Sequence, residues 1–250
     1  VRRLRLGIMI ATVAAAVLIP PAGAAHASGD DGHVRWWEQY RLTECDEQLA
    51  RRLIPPEDLD VELPEGWTLF TPEEQALVLT YAWECQRGHH TVRELFDLLA
   101  VETDAFGEGV YPFVLLTGYT DSLVNLLQWK LWGFGPQVAW GHVRYDVRAD
   151  GDKLRGTASA HGRLGRVRLA TTVAQDEFMD EPGGVSAIAE LRGDHVAAAA
   201  LWEFSESSSA RGEARFARGR DPLREVGGGG GLVRAQVDTD YTFTFSALRP

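Results

Sequence analysis

Lysine is nearly absent. Of 25 basic residues in a 250-residue chain, Lys130 and Lys153 are the only lysines. Chemistry that runs through a side-chain amine therefore has two candidates and no more. Cysteine is as scarce: Cys45 and Cys85 alone exclude a cysteine-rich zinc module and a multi-bridge scaffold. Positive charge is in deficit, with 25 Lys and Arg against 36 Asp and Glu and a formal net charge of −11. A general nucleic-acid binder needs a basic footprint to neutralise phosphates, so no nucleic-acid partner is expected. No apolar run reaches the ~20 residues of a membrane-spanning helix. What is plentiful is apolar content. At 45% hydrophobic residues the chain can bury a real core, which excludes wholesale disorder and allows one or two domains.

The start of the chain reads as a secretory signal peptide. Arg2, Arg3 and Arg5 form a basic region, Leu6 to Ile19 an apolar run of 14 residues, and Ala25-His26-Ala27 a small-residue cleavage site. Cleavage is expected after Ala27, with a retained anchor as the alternative. Without a cysteine near that site, lipid attachment to a new N-terminus is excluded. Arg2-Arg3 is reminiscent of a twin-arginine signal, but Arg5 stands where that signal has an apolar residue, which favours the general secretory route. Val1 and the excess of Arg over Lys point to a GC-rich bacterial gene. Removal of residues 1–27 takes three arginines and no acids, moving the formal charge from −11 to −14. The expected product is secreted, with no stable membrane anchor after cleavage. Residues 28–250 are expected to form a single β-rich domain behind a polar leader. In an oxidising compartment Cys45 and Cys85 are expected to form one disulfide.

The periodicity changes along the mature chain. Trp36, Trp37, Tyr40, Leu49 and Leu53 recur at roughly helical intervals, which predicts a helix over at least Asp46 to Leu53, stopped by Pro55-Pro56. Leu77, Leu79, Tyr81, Trp83 and Cys85 alternate as one face of a strand. Thr91 with Glu94 fits a capping box, but the apolar residues after it suit a buried strand equally. Val110 to Thr117 reads as a strand. A helix follows, capped by Thr120 or Asp121, carrying Leu123, Leu126, Leu127 and Leu131 and stopped at Gly133. Beyond Pro136 the period is two, in runs starting near Ala139, Val167, Val196 and Tyr241. Turn signals such as Asp150-Gly151-Asp152 and Gly193-Asp194 lie between them. Gly227 to Gly231 reads as a loop before the last strand. The predicted fold class is α+β: a β-rich barrel or strongly bent antiparallel sheet with flanking helices.

No catalytic motif stands out. Gly118-Tyr119-Thr120-Asp121-Ser122 lacks the flanking glycine of a serine elbow. His89 and His90 are adjacent and point to opposite faces if on a strand, so they belong in a turn and not in a metal site. His142, His161 and His195 are isolated in sequence. The glycine run 227–231 has neither a following Lys-Ser/Thr nor a helix start to cradle phosphate. The basic run Arg211 to Arg220 is interrupted by Glu213 and reads as a solvated face. Eight tryptophans are many. Trp129, Trp132 and Trp140 suit either the core or a pocket for an apolar or sugar ligand.

Leu63-Pro64-Glu65-Gly66-Trp67, the strand from Val110, the helix opened by Asp121 and then Gly133-Phe134-Gly135-Pro136-Gln137-Val138 follow one another in order. This order resembles the acetoacetate decarboxylase-like superfamily over residues 50–175. The resemblance implies a β-barrel with a buried pocket. In the family, a loop with Gly, Pro and then Lys-Lys supplies the Schiff-base amine and the neighbouring cation that lowers its pKa. Here those positions are Gln137 and Val138, and neither forms an imine.

The expected role is therefore a secreted, disulfide-linked barrel, more binding protein than enzyme, holding a small apolar or acidic ligand. No cofactor and no metal are called for, and protein partners are unknown. Glu84, Trp140, His142 and Arg144 are the candidate ligand-binding residues. One alternative is an exported lyase or hydrolase of the same superfamily. Another is an extracellular interaction protein using Trp36, Trp37 and Tyr40 as its contact surface.

Overall fold

The computed structural model of the chain describes residues 36–210, 212–219, 224–225, 233–236 and 242–248. The signal-peptide reading of residues 1–27, the leader and the glycine loop 227–231 lie outside them.

Seven strands close a ring. β1 (Trp36–Ile54) pairs with β3 (Ala76–Arg87), β3 with β4 (His90–Glu102), and β4 with β5 (Val110–Thr120). β5 continues to β10 (Gly184–Arg192), β11 (His195–Phe204) and β16 (Phe243–Leu248), which returns to β1. All these pairs are antiparallel except β5–β10. The two-residue β2 (Thr68–Leu69) edges β4. The sheet is thus mixed, and the barrel expected from the alternating runs is present.

A second layer leaves the ring at β5. β6 (Val138–Asp150) runs parallel to the end of β5 and opens an antiparallel sheet with β7 (Lys153–Gly162), β8 (Gly165–Ala174), β13 (Gly212–Arg218) and β14 (Arg224–Glu225). β15 (Val233–Gln236) pairs with β1, while β9 (Met179–Glu181) and β12 (Ser207–Ser209) pair with each other. Small side chains let the layers approach: Ala50 and Ala82 on the barrel wall pack with Ala139, Ala158 and Ala160 on the sheet. Gly156 is required at this seam, because a Cβ there would meet Gln48 and Thr171 at 2.3–2.5 Å. A polar knot crosses the same seam. The buried Asp97 carboxylate accepts from Arg52 at 3.0 Å, Arg218 at 2.8 Å and the hydroxyls of Thr80 and Thr117.

The helix expected over Asp46 to Leu53 is a strand. Asp46 to Ile54 make ladder pairs with β3, Glu47 to Ala50 also with β15, and the earlier part of β1 pairs with β16. The misleading signal has a physical source. The pairing with β3 shifts between Thr43 and Asp46, where Glu44 takes φ 51°. This bulge brings Leu42, Cys45 and Leu49 into one core cluster, so a strand shows the spacing of a helix face. Pairing with β16 makes Trp36 to Leu42 part of the barrel wall. The stretch from Thr91 resolves as strand β4.

Alternation on β3 holds as expected, with Leu79, Tyr81, Trp83 and Cys85 in the barrel core. Cys45 and Cys85 form a disulfide that ties β1 to β3. One α-helix is present among the described residues, α1 (Leu123–Leu131). Its N-cap is Ser122, whose Oγ accepts from the Asn125 amide at 3.2 Å. Asp121, expected in that role, instead accepts the Arg93 amide and guanidinium, fastening the turn to β4. Gly133 at φ 100° ends the helix. No described helix is long and apolar enough to cross a membrane.

Candidate functional site

The barrel interior is filled by aromatic rings. Trp83 lies 5.0 Å from Phe96, 5.5 Å from Trp202 and 5.5 Å from Phe243, measured between ring centroids. Phe245 and Trp129 continue the cluster. Gly118 makes room for it, since a Cβ there would lie 2.2 Å from the Phe96 ring. The plug separates two ends of unlike chemistry.

One end is covered by α1, which turns Leu126 and Trp129 into the core. Here Glu94 points inward from β4 with no exposed surface. Its Oε1 accepts from Asn125 Nδ2 at 3.0 Å and Trp129 Nε1 at 3.4 Å, whereas Oε2 has no hydrogen-bond partner. Burial pushes this carboxyl up to about 7, against the pull of those hydrogen bonds. Glu190 of β10 is at the same end. Burial raises it likewise to about 7, opposed by Arg192. The Gln137 amide, oriented by its neighbours, donates to both Glu190 oxygens at 3.0 and 3.1 Å. Val138 is buried in the barrel core beside it. A cleft of about 330 Å³ reaches Gln137 from outside, between Asp60, Glu62 and Leu191.

The other end is open. A cleft of about 440 Å³ is walled by Leu49, Leu77, Leu79, Tyr81, Phe113 and Phe204, with Arg51, Ser186 and the Pro182–Gly184 backbone as its polar elements. Phe70 and Tyr111 stand exposed at its rim. Arg51 projects from β1 on the same side as Leu49, and its Nε is buried without a hydrogen-bond partner. Behind Tyr81, Trp202 packs at 5.0 Å and also keeps an unpartnered indole N–H. The Arg51 Nε is a donor in the cleft wall, so what satisfies it there must be an acceptor. A cationic donor left this way is costly, and an apolar cleft with one cation suits a molecule with an apolar body and an anionic head.

The residues singled out from sequence are not gathered into this cleft. Glu84 sits on the outer barrel wall, ion-paired with Arg93. Trp140, His142 and Arg144 lie exposed on the outward face of β6, where Arg144 Nε donates to His142 Nε2 at 3.1 Å. His142 meets His161 across the ladder at 5.5 Å between rings. His89 is in the β3–β4 turn. Trp129 is core, Trp132 packs against it, and Trp140 is 57% exposed. Lys130 and Lys153 are both exposed, away from the barrel interior. Among the described residues no three His, Cys, Asp or Glu side chains are placed to hold a metal ion. Sequence reasoning missed Arg51, Glu94 and Glu190. Each was marked by the same faint signal, a charge at an inward position of an otherwise apolar strand.

No protein-family model and no curated protein matches the sequence. Solved structures do match. The enduracididine biosynthesis enzyme MppR, with HEPES bound, aligns over 85% of this chain and 86% of its own at 16% identity and a TM-score of 0.53. The same enzyme complexed with the condensation product of pyruvate and imidazole 4-carboxaldehyde gives 84% and 87% coverage at 16% identity, again with a TM-score of 0.53. Acetoacetate decarboxylase from Legionella pneumophila aligns over 91% of this chain and 96% of its own, at 11% identity and a TM-score of 0.51. The fold is that of acetoacetate decarboxylase-like proteins. At these identities the likeness is one of fold, and it bears out the barrel that the residue order implied.

Proposed function

We propose that this is an exported protein that binds a small amphipathic carboxylate in the open end of an acetoacetate decarboxylase-like barrel, without Schiff-base chemistry. The observation that carries the reading is the unpartnered Arg51 Nε inside an apolar cleft of about 440 Å³. The guanidinium cannot shed its charge, so it waits for an anion. Leu77, Leu79, Phe113 and Phe204 then cover the apolar body of the ligand. Neither lysine reaches the barrel, and Gln137 and Val138 stand at the family's amine positions, so carbonyl activation through an imine has no nucleophile here. Thermal-shift titration with 3-phenylpropionate, hexanoate and their primary amides tests this. The acids are expected to stabilise the protein, the amides to bind at least tenfold more weakly, and Arg51→Met to remove the difference. No shift with any acid at millimolar concentration would sink the reading.

A second reading is favoured by one observation, the Gln137–Glu190 pair. A carboxyl near 7 can both give and take a proton at neutral pH. It stands where the family carries its amine, and the structural neighbours are enzymes, one of them complexed with a pyruvate condensation product. On this reading the protein is a lyase or hydrolase working by general acid–base catalysis through the 330 Å³ cleft. Acetoacetate breakdown or pyruvate–aldehyde condensation lost on Glu190→Gln, with folding intact, supports it. Absence of both reactions in the wild type counts against it.

A further inference from the structure

The outward face of the second layer carries charge of the sign that the chain otherwise lacks. Strand alternation and register place Arg144 and Arg148 of β6, Arg155 of β7, Arg166 and Arg168 of β8 and Arg215 of β13 on one side of the sheet. All six are exposed. The acids that register places on this face are Asp146, Glu213 and Glu225, with Asp150 at the β6–β7 turn engaged by Arg155 at 2.7 Å. This excess of arginine stands on a chain whose net charge is −11. The segregation is therefore local, and it is not a by-product of composition. The opposite face of the same sheet is apolar and packed on the barrel, so one strand period yields both surfaces.

The face also has an aromatic edge. Trp140 is 57% exposed, two residues before His142 on the same side of β6, and His142 is opposite His161. Register across β6, β7 and β8 lines up His142, His161 and Arg166 in one row, and Arg144, Ser159 and Arg168 in the next. Adjacent strands are ~4.8 Å apart, so Arg144 and Arg168 stand ~10 Å from one another across the sheet. Arg144 and Arg148 are separated by ~13 Å along their strand, from four residues at ~3.3 Å each.

We infer that this arginine face binds a linear acidic polysaccharide, with carboxylates on the arginines and a sugar ring stacked on Trp140. Charge complementarity fixes the sign of the partner. The exposed indole at the edge of the face points to a sugar ring as the kind. An indole face packs on the C–H side of a pyranose ring, and guanidinium forks pair with carboxylates in a bidentate way. A thin chain can follow the arginines, which outnumber the acids interleaved with them on this face. A nucleic-acid duplex is a broad cylinder of like charge, and the acidic remainder of the protein repels it. The site is independent of the barrel cleft: it shares no residue with it and stands on the opposite side of the sheet from the barrel.

Affinity electrophoresis of the full-length protein through gels containing polygalacturonate tests the inference, with heat-denatured and disulfide-reduced controls. The wild type is expected to be retarded at 50 mM salt and to lose that retardation progressively by 300 mM. Arg144→Glu with Arg168→Glu is expected to weaken binding at least tenfold, and Trp140→Ala by a smaller factor with the salt dependence kept. Arg51→Met, which alters the barrel cleft, is expected to leave retardation unchanged. No retardation of the wild type at low salt overturns the inference, as does retardation that the double reversal leaves intact. Equal or tighter binding of duplex DNA in the same gels overturns the choice of polysaccharide in favour of a phosphodiester polymer.

Discussion

The two ends of the barrel hold the same kind of defect and resolve it in opposite ways. At the helix-covered end Glu94 Oε2 is buried without a partner; at the open end Arg51 Nε is. A carboxyl can answer burial by keeping its proton, and Glu94 does so, with its pKa at about 7. A guanidinium has no such exit at any pH compatible with folding. At the first site protonation removes the charge with no group from outside the chain. The second stays open toward a cleft that solvent and solutes can enter. An unmatched buried group thus points to a ligand only where its charge is fixed and its surroundings are accessible.

Support for the closed end comes from the covalent link. The 40-residue separation of Cys45 and Cys85 corresponds to a stabilisation of about 4 kcal/mol in the chain-entropy account. Cys45→Ala with Cys85→Ala is expected to lower the urea midpoint accordingly, while acid binding at the open end persists below the transition. Simultaneous loss of binding in native buffer would show that the two ends are coupled.

The next effect is pH-dependent. A folded pKa of about 7 exceeds that of an exposed carboxyl, so the native state holds a proton that the unfolded chain has released. Stability is then full below the unfolded pKa near 4.3 and falls as pH rises through about 7. The slope is roughly 1 kcal/mol per pH unit for each such group. Glu190 adds a second increment of the same sign, since burial raises it too. Glu94→Gln is expected to stabilise the protein at pH 8 by about 2–3 kcal/mol and to halve the slope of stability between pH 5 and pH 7. An unchanged slope in urea titrations across that range would show that Glu94 is already solvated in the native state.

The sequence made the barrel legible where the strands alternate cleanly. Leu77 to Cys85 showed their inward face by period alone, as did the runs of β6, β8 and β11, and the Gly-Phe-Gly-Pro motif pointed to the family fold. β1 carries a helix-like pattern because its bulge at Glu44 shifts the inward set from a period of two to steps of three and four. That pattern hid Arg51, which a strand reading would have placed among Leu49 and Leu53 as an inward charge. Glu94 was obscured by its other plausible use in a capping box. His142 and Arg144 are polar residues on an alternating strand. Alternation cannot say whether the polar face of a strand turns toward a barrel or toward solvent, because that depends on which layer the strand joins. β6 joins the outer layer.

The smallest effect discriminates most sharply between the ends. Arg51→Met keeps the length and apolar stem of the side chain but removes a donor that has no protein partner. At a site built for structure, deleting a buried charge from its network destabilises by several kcal/mol, as expected for Asp97, which four donors hold. At a site built for a ligand, the same deletion relieves an unmet desolvation cost and stabilises the apo protein by about 1 kcal/mol. Arg51→Met is therefore expected to unfold at slightly higher denaturant than the wild type, and the order is expected to reverse when phenylpropionate is added to both. Urea midpoints of the two proteins, with and without the acid, decide the matter. A midpoint that drops without ligand would mean that Arg51 belongs to the structure after all, and that the open end is no more a binding site than the closed one.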